Sequence, residues 1–268
     1  MVGGALFQRE IKITDSILVR IPTVGEIIEH LDEYYALAAL IIATPTDLMV
    51  QLDDIGIDWS KIGDFELFCT LWSEIQDKHK DSPHIFSLFF GNLDISGLQP
   101  APIGDTGRFI IQAPKKDENR KKKKRDPQKK TIMIDSIVYN SICEAIRMML
   151  GLQKNERVPG NEAARKFIIE TERRRQKREA RKKKDPAALS QIENLIISLV
   201  NNADCPYDFN TILGLTMLQF NESVRQVSRK YNVDNLMIGV YSGTVDTKNM
   251  NHDDLTWIKV GESSSKPN

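Results

Sequence analysis

The sequence predicts a mainly helical α+β protein, with a small β-hairpin or sheet in its N-terminal half and a helical C-terminal half. Two patterns carry that reading. Strict alternation of apolar and polar residues is confined to short runs, the clearest near the start of the chain, whereas apolar residues at helical spacing dominate elsewhere. A third observation, the segregation of charge, bears on domain organisation. Residues 1–112 carry 7 Lys/Arg against 17 Asp/Glu, a net of −10. Residues 113–184 carry 24 against 10, a net of +14, and residues 185–268 carry 6 against 10, a net of −4. The expected division is an acidic α+β domain over 1–112 and a basic linker or loop over 113–130, then a helical domain over 131–260 that contains a long basic helix at about 162–184, and a disordered tail at 261–268.

Taken in order, Phe7 to Ile13 alternates, turns at Thr14-Asp15-Ser16 and resumes from Ile17 to Ile21, which is a hairpin signal. Thr23 with Glu26 makes a capping box for the helix that follows. That helix carries Ile27, Ile28, Leu31, Tyr34, Tyr35, Ala38, Leu40, Ile41 and Ile42, and Pro45 stops it. Its second half is apolar all round, so it belongs at the centre of the first domain. Thr46-Asp47 caps a further short helix through Leu52, closed by Gly56. Asp64 opens a helix with Phe65, Phe68, Leu71, Trp72 and Ile75 on one side. Pro83 to Phe90 is short and very apolar, fitting either a helical turn or a buried strand.

After Gly91 the chain turns rich in Gly, Pro, Asp and Ser as far as Gly107. Arg108 to Gln112 reads as a strand, and Thr131 to Asp135 as another that pairs with it across the basic loop. Ile137, Ile142, Ile146 and Met149 mark the next helix, stopped by Gly151. The long helix from about Glu162 to Lys184 has Ala163, Ala164, Phe167 and Ile168 to bury in its first turns and almost nothing apolar after them. Leu189 to Val200 is helical. Thr216 and Gln219 form a second capping box for a helix with Phe220, Val224 and Val227, and another helix begins near Val233.

An apolar fraction of 41% beside 28% charged residues excludes disorder of the whole chain. Cys69, Cys143 and Cys205 form no CxxC pair and are odd in number, which argues against a disulfide framework. No apolar signal core precedes the first charges, and the longest apolar stretch, Ala36 to Ala43, falls well short of the about 20 residues a membrane span needs. A protein of the reducing cytoplasm is therefore expected.

Catalytic, cofactor and metal residues are all read as none. Gly3-Gly4 lacks the Lys-Ser/Thr and the helix of a phosphate-binding loop. Asp77, His79, Asp81 and His84 are the only local cluster of metal-ligand types, and an exposed polar helix end explains them. No Gly-x-Ser-x-Gly elbow or Cys–His pair suggests a nucleophile. The strongest compositional signal is a pair of basic runs, Lys121, Lys122, Lys123, Lys124 and Arg125, then Arg173, Arg174, Arg175, Arg178 and Lys182. Such residues neutralise phosphates. Readers of single strands also interleave aromatics for stacking, and neither run contains one. A solvated loop and a helix face that meets acidic protein surface fits better than nucleic-acid contact.

Several stretches resemble a family found in tailed phages and prophages of Gram-positive bacteria. They are Ile21 to Glu26, Gln51 to Trp59, Asp64 to Phe68, Leu88 to Gly91 and Pro159 to Arg165, and most clearly Leu215 to Val224, Asn235 to Lys248 and Leu255 to Trp257. The family looks like tail-module proteins encoded between tail-tube and tape-measure genes. The resemblance implies a non-enzymatic tail assembly chaperone, many copies of which coat the tape-measure protein in the host cytoplasm until tube subunits replace them. Its implied partners are the tape-measure protein or other tail proteins and further copies of itself, with no membrane and no cofactor. On that analogy Phe220, Val224, Met237, Tyr241 and Trp257 form the partner-facing part, with ordinary core packing as the alternative for each. Two other classes stay open: a virion component at the head–tail junction or baseplate, and a nucleic-acid-binding accessory protein.

Overall fold

A computed structural model describes residues 4–80, 82–91, 93, 98–102, 109–112, 132–181, 189–246, 248, 250–251 and 255–258. After a single 3-10 turn at Ala5–Phe7, strands β1 (Glu10–Lys12) and β2 (Leu18–Arg20) pair antiparallel with Ile11 opposite Val19. Thr14 Oγ1 accepts the N–H groups of Ser16 and Ile17 at 3.2 and 3.0 Å, which closes the turn between them. Both the hairpin and its turn are where the alternation places them.

The capping box at Thr23 also forms. Thr23 Oγ1 accepts from Glu26 N–H at 3.3 Å, and the Glu26 carboxylate accepts from Thr23 N–H at 2.8 Å. Where one helix was expected there are two, α1 (Val24–Glu29) and α2 (Leu31–Ile41), broken at His30 with φ −135° and ψ 36°. The next cap sits earlier than expected. Thr44 and Asp47 bond reciprocally, at 2.9 and 3.2 Å, and α3 (Met49–Asp54) starts after that turn. α4 (Asp64–Lys78) begins at the expected residue, and Pro83–Phe90 is a helix, α5.

The second sheet has the order β3 (Gln99–Pro102), β4 (Phe109–Gln112), β5 (Met133–Ile134), antiparallel throughout. The pairing of the strands on either side of the basic loop is as expected. β3 is not, because Pro100 and Pro102 read as loop; an edge strand tolerates prolines, which cannot donate to a ladder on both sides. The loop over 113–130, with Lys121, Lys122, Lys123, Lys124 and Arg125, lies outside the described residues, as do Lys182 and the tail from 261.

α6 (Ser136–Leu150) is capped by the Asp135 carboxylate, which accepts from Ile137 and Val138 N–H at 3.0 and 2.8 Å. Gly151 ends it at φ +68°, the left-handed conformation that costs glycine nothing. One stripe of α6, at i, i+4 and i+8, caps the end of α2. Tyr139 Oη and Cys143 Sγ donate to Ile41 O at 3.1 and 3.5 Å, and Arg147 Nη2 donates to Ile42 O at 2.5 Å. These carbonyls are among those a helix C-terminus leaves without internal partners, and Arg147 adds a cation where the helix dipole is negative.

The chain divides into two compact units, residues 1–188 with 216–218, and 189–215 with 219–268. That division differs from a boundary at the basic loop, because α6 packs on β2, β5 and α4, and α7 (Glu162–Arg181) packs on α3, so both helices join the acidic N-terminal elements. Buried at the centre of the first unit are Val19, Ile27, Tyr34, Trp72, Phe89 and Ile146. Tyr34 stacks on Phe89 with ring centroids 4.6 Å apart, and Phe68 on Tyr139 at 4.5 Å. Trp72 Nε1 donates to Leu98 O at 2.8 Å, so the buried indole keeps a partner. Residues 216–218 add main-chain pairing to the same unit: Thr23 bridges Thr216, and Met217 N–H donates to Pro22 O at 2.9 Å.

In the second unit α8 (Gln191–Val200) starts from a Ser190–Glu193 capping box. The short α9 (Phe209–Leu213) starts from Asp208, whose carboxylate accepts from Asn210 and Thr211 N–H. The two helices expected beyond residue 216 are one, α10 (Met217–Tyr241), whose first two residues belong to the first unit. Its end is turned back by Thr244 and Val245, whose N–H groups both donate to Gly239 O at 3.0 and 3.1 Å. A Cβ at Gly239 would lie 2.8 Å from Val245 Cγ2, so a larger residue there would force the Val245 side chain or the return of the chain to shift. Among the described residues no helix is long and apolar enough to cross a membrane. The mainly helical α+β class holds, with both small sheets in the first unit.

Candidate partner-binding surfaces

The basic helix α7 faces the acid of its own unit. Ile169 packs in a cluster with Met49, Val50, Leu52, Trp59 and Leu67. Around that apolar contact Arg173 Nη2 bonds Asp54 Oδ1 at 2.5 Å and Asp53 Oδ2 at 3.2 Å. Arg165 bonds Glu162 at 2.8 Å and lies 3.7 and 3.9 Å from Asp58 and Asp53. The side chain of Glu172 is buried, and the Arg175 guanidinium beside it, at 2.5 Å, holds its carboxyl below the ordinary range. Arg174 reaches Glu170 at 3.1 Å, while Arg178 is exposed. The attraction between acidic front and basic middle is thus satisfied, for Arg165 and Arg173, inside one unit. Phe167, expected to bury, is 72% exposed, because the stripe that meets α3 runs through Arg165, Ile169 and Arg173 instead.

The five residues assigned to a partner occupy different surroundings. Phe220 is fully buried, so in the free chain it packs rather than faces solvent. Val224 and Met237 are half-buried, and Tyr241 and Trp257 are exposed. α10 explains the difference. In its second half Val233 is buried while Leu236, Met237 and Val240 are half-buried on one side. Tyr231, Ile238 and Tyr241, at spacings of seven and three, share another side and are 51%, 66% and 82% exposed. A helix that is apolar on two sides, one of them in solvent, offers a ready docking stripe. Tyr231 and Ile238 escaped sequence reading because the alternation of two apolar sides looks like one broad core pattern; their spacing was the available signal.

Beside α10 lies a cleft of about 380 Å³, lined among others by Cys205, Tyr207, Val227 and Trp257. Lys230 closes one side of it, held between Asp204 at 2.8 Å and Asp234 at 2.9 Å, which keeps its ammonium well above the ordinary range. Arg229 Nη2 donates to Thr256 O at 3.0 Å, fixing the segment that carries Trp257 against the helix. A wider groove of about 700 Å³ in the first unit has mixed charge, with Lys154 bonded to Asp64 at 2.7 Å across it.

The Asp77–His84 run does not converge as a set. Asp77 and His84 are exposed and Asp81 is outside the described residues, while His79 is buried, which lowers its imidazole below the ordinary range. Cys69, Cys143 and Cys205 are all free thiols.

Residues 181–260 match the model of a family described as the YomV second domain, a phage-type protein family. That stretch takes in α8, α9, α10 and the Trp257 segment. Comparison of the chain with curated proteins and with solved structures gives no match.

Proposed function

We propose that the protein is a non-enzymatic tail assembly chaperone of a phage, which covers the tape-measure protein during tail morphogenesis in the host cytoplasm. The observation that carries this reading is the exposed stripe Tyr231, Ile238 and Tyr241 on α10, within the part of the chain that matches a phage-type family. A long amphipathic client needs temporary apolar cover, and aromatic and aliphatic anchors in water supply it. Charge around the stripe keeps a coated client soluble, and repeated copies line up along a helical client by self-association. The pairing of Arg165, Arg173 and Arg175 with carboxylates favours a protein partner over nucleic acid, since guanidinium groups so engaged are not offered to phosphates.

The test is co-expression with the tape-measure protein of the same phage, followed by purification in moderate and then high salt. A soluble multi-copy complex that persists in high salt supports the chaperone reading. Absence of a complex, with the protein found instead in purified virions, overturns it in favour of a structural component of the particle.

A further inference from the structure

Three of the chain's four histidines fall near the junction of α4, α5 and the α1/α2 break, and two of them converge on a carboxylate. His30 sits at the break itself, ending α1 and opening α2. Glu33 follows it at i+3 in the first turn of α2, so both side chains rise from the same side of that turn. His84, in the first turn of α5, comes from the opposite element. Its ring centroid lies 4.5 Å from that of His30 at an interplanar angle of 54°, and its Nε2 is 3.8 Å from Glu33 Oε2. One ligand atom from each of the three residues lies within 4.8 Å of the other two.

We infer that His30, Glu33 and His84 form a three-ligand site for a borderline divalent cation, Zn²⁺ above all. Two imidazole nitrogens and one carboxylate oxygen are the donor set that suits this ion, and tetrahedral coordination places ligand atoms about 3.3 Å apart. The observed spacings require contraction of the more distant atoms, which side-chain rotation supplies. Glu33 and His84 side chains are each 49% exposed, so the fourth position opens to solvent and takes water. Ser82 Oγ, 3.5 Å from Glu33 Oε1, approaches the carboxylate oxygen that the histidine does not face. A cation here adds to the Ser82–Glu33 and His84–Glu33 contacts and ties the start of α5 more firmly to the break between α1 and α2. The inference is independent of the chaperone reading, since it concerns a different unit from the α10 stripe.

The experiment titrates tag-free, chelator-stripped protein with Zn²⁺ by calorimetry, and separately with Co²⁺, whose visible absorption reports tetrahedral nitrogen and oxygen ligation. One equivalent of each ion is expected to bind and to raise the melting temperature. His84→Gln and His30→Gln each weaken binding by at least about 10-fold, the lower end of what disturbing even an outer partner of a ligand costs. His252→Gln, at the histidine far in sequence from this corner, leaves binding unchanged. The inference is overturned if wild-type protein binds neither ion at one equivalent, or if the two variants bind as wild type does. Because the wild-type titration decides by itself, a variant that failed to fold would not rescue the idea.

Discussion

Replacing Ile238 and Tyr241 together by alanine separates the role of α10 in docking from its role in the fold. Both side chains are mostly in solvent, 66% and 82% exposed, so the free chain loses little burial when they are shortened. Alanine also keeps the helix, so the change in stability is expected within about 0.5 kcal/mol per site, as for surface positions generally. If the stripe anchors the client, each truncation removes a buried contact from the complex. An anchor of that kind is worth about 2 kcal/mol, close to 30-fold in affinity. The two sites are neighbours at i, i+3 and share partners, so their effects combine to between about 30- and 1,000-fold rather than adding cleanly. Phe220→Ala is the contrasting variant. Phe220 is fully buried, and the loss of its ring is expected to cost about 3–5 kcal/mol of stability. Thermal melts and binding to the immobilised tape-measure protein read the two effects separately. Wild-type binding by Ile238→Ala/Tyr241→Ala, with an unchanged melt, would refute the assignment of this stripe as the docking face.

Tyr139→Phe removes the donor to Ile41 O and keeps the ring on Phe68; urea unfolding should show a loss of about 1 kcal/mol, and no loss would mean that the α2 carbonyls are capped well enough without it. Burial pushes the thiols of Cys69 and Cys143 up to about 11, so a thiol reagent at pH 8 should label half-exposed Cys205 first and the other two only as the fold opens. Three equally fast cysteines would contradict that packing. Glu172 has a folded pKa depressed by Arg175, so its contribution to stability is complete above its unfolded value of about 4.3 and fades as pH falls through the lower folded one. Glu172→Gln should therefore flatten the acid limb of a melting-temperature-versus-pH curve, and a limb identical to wild type would show the pair to be neutral.

Local chemistry was the legible part of this sequence. The hairpin turn at Thr14, the Thr23–Glu26 box, the stop at Gly151 and the start of α4 at Asp64 are each decided within a few residues. What escaped depends on distant partners. The break at His30 has no proline or glycine to announce it. β3 exists because β4 pairs with it, and two prolines hide it from any propensity. Phe167 looked like the buried residue of α7, but the helix turns Arg165 and Ile169 toward α3, where aspartates and a small apolar cluster wait for them. The His30–Glu33–His84 grouping was invisible for the same reason: the sequence shows only His30 and Glu33 close together.

The pairing of Pro22 and Thr23 with Met217 and Thr216 bears on how the chain matures during synthesis. A first unit made of residues 1–188 and 216–218 cannot be finished when the ribosome has passed residue 188. It waits until residues 189–215 have also emerged, which at about 5–20 residues per second takes seconds. During that interval Pro22 O and Thr23 lack the partners they find at Met217 and Thr216. Because residues 216–218 are the last of this unit to be made, their bridge to Pro22 and Thr23 belongs among its last contacts to form. A ribosome stalled within α8 or α9 would thus display a first unit that still lacks residues 216–218 and their pairing with Pro22 and Thr23.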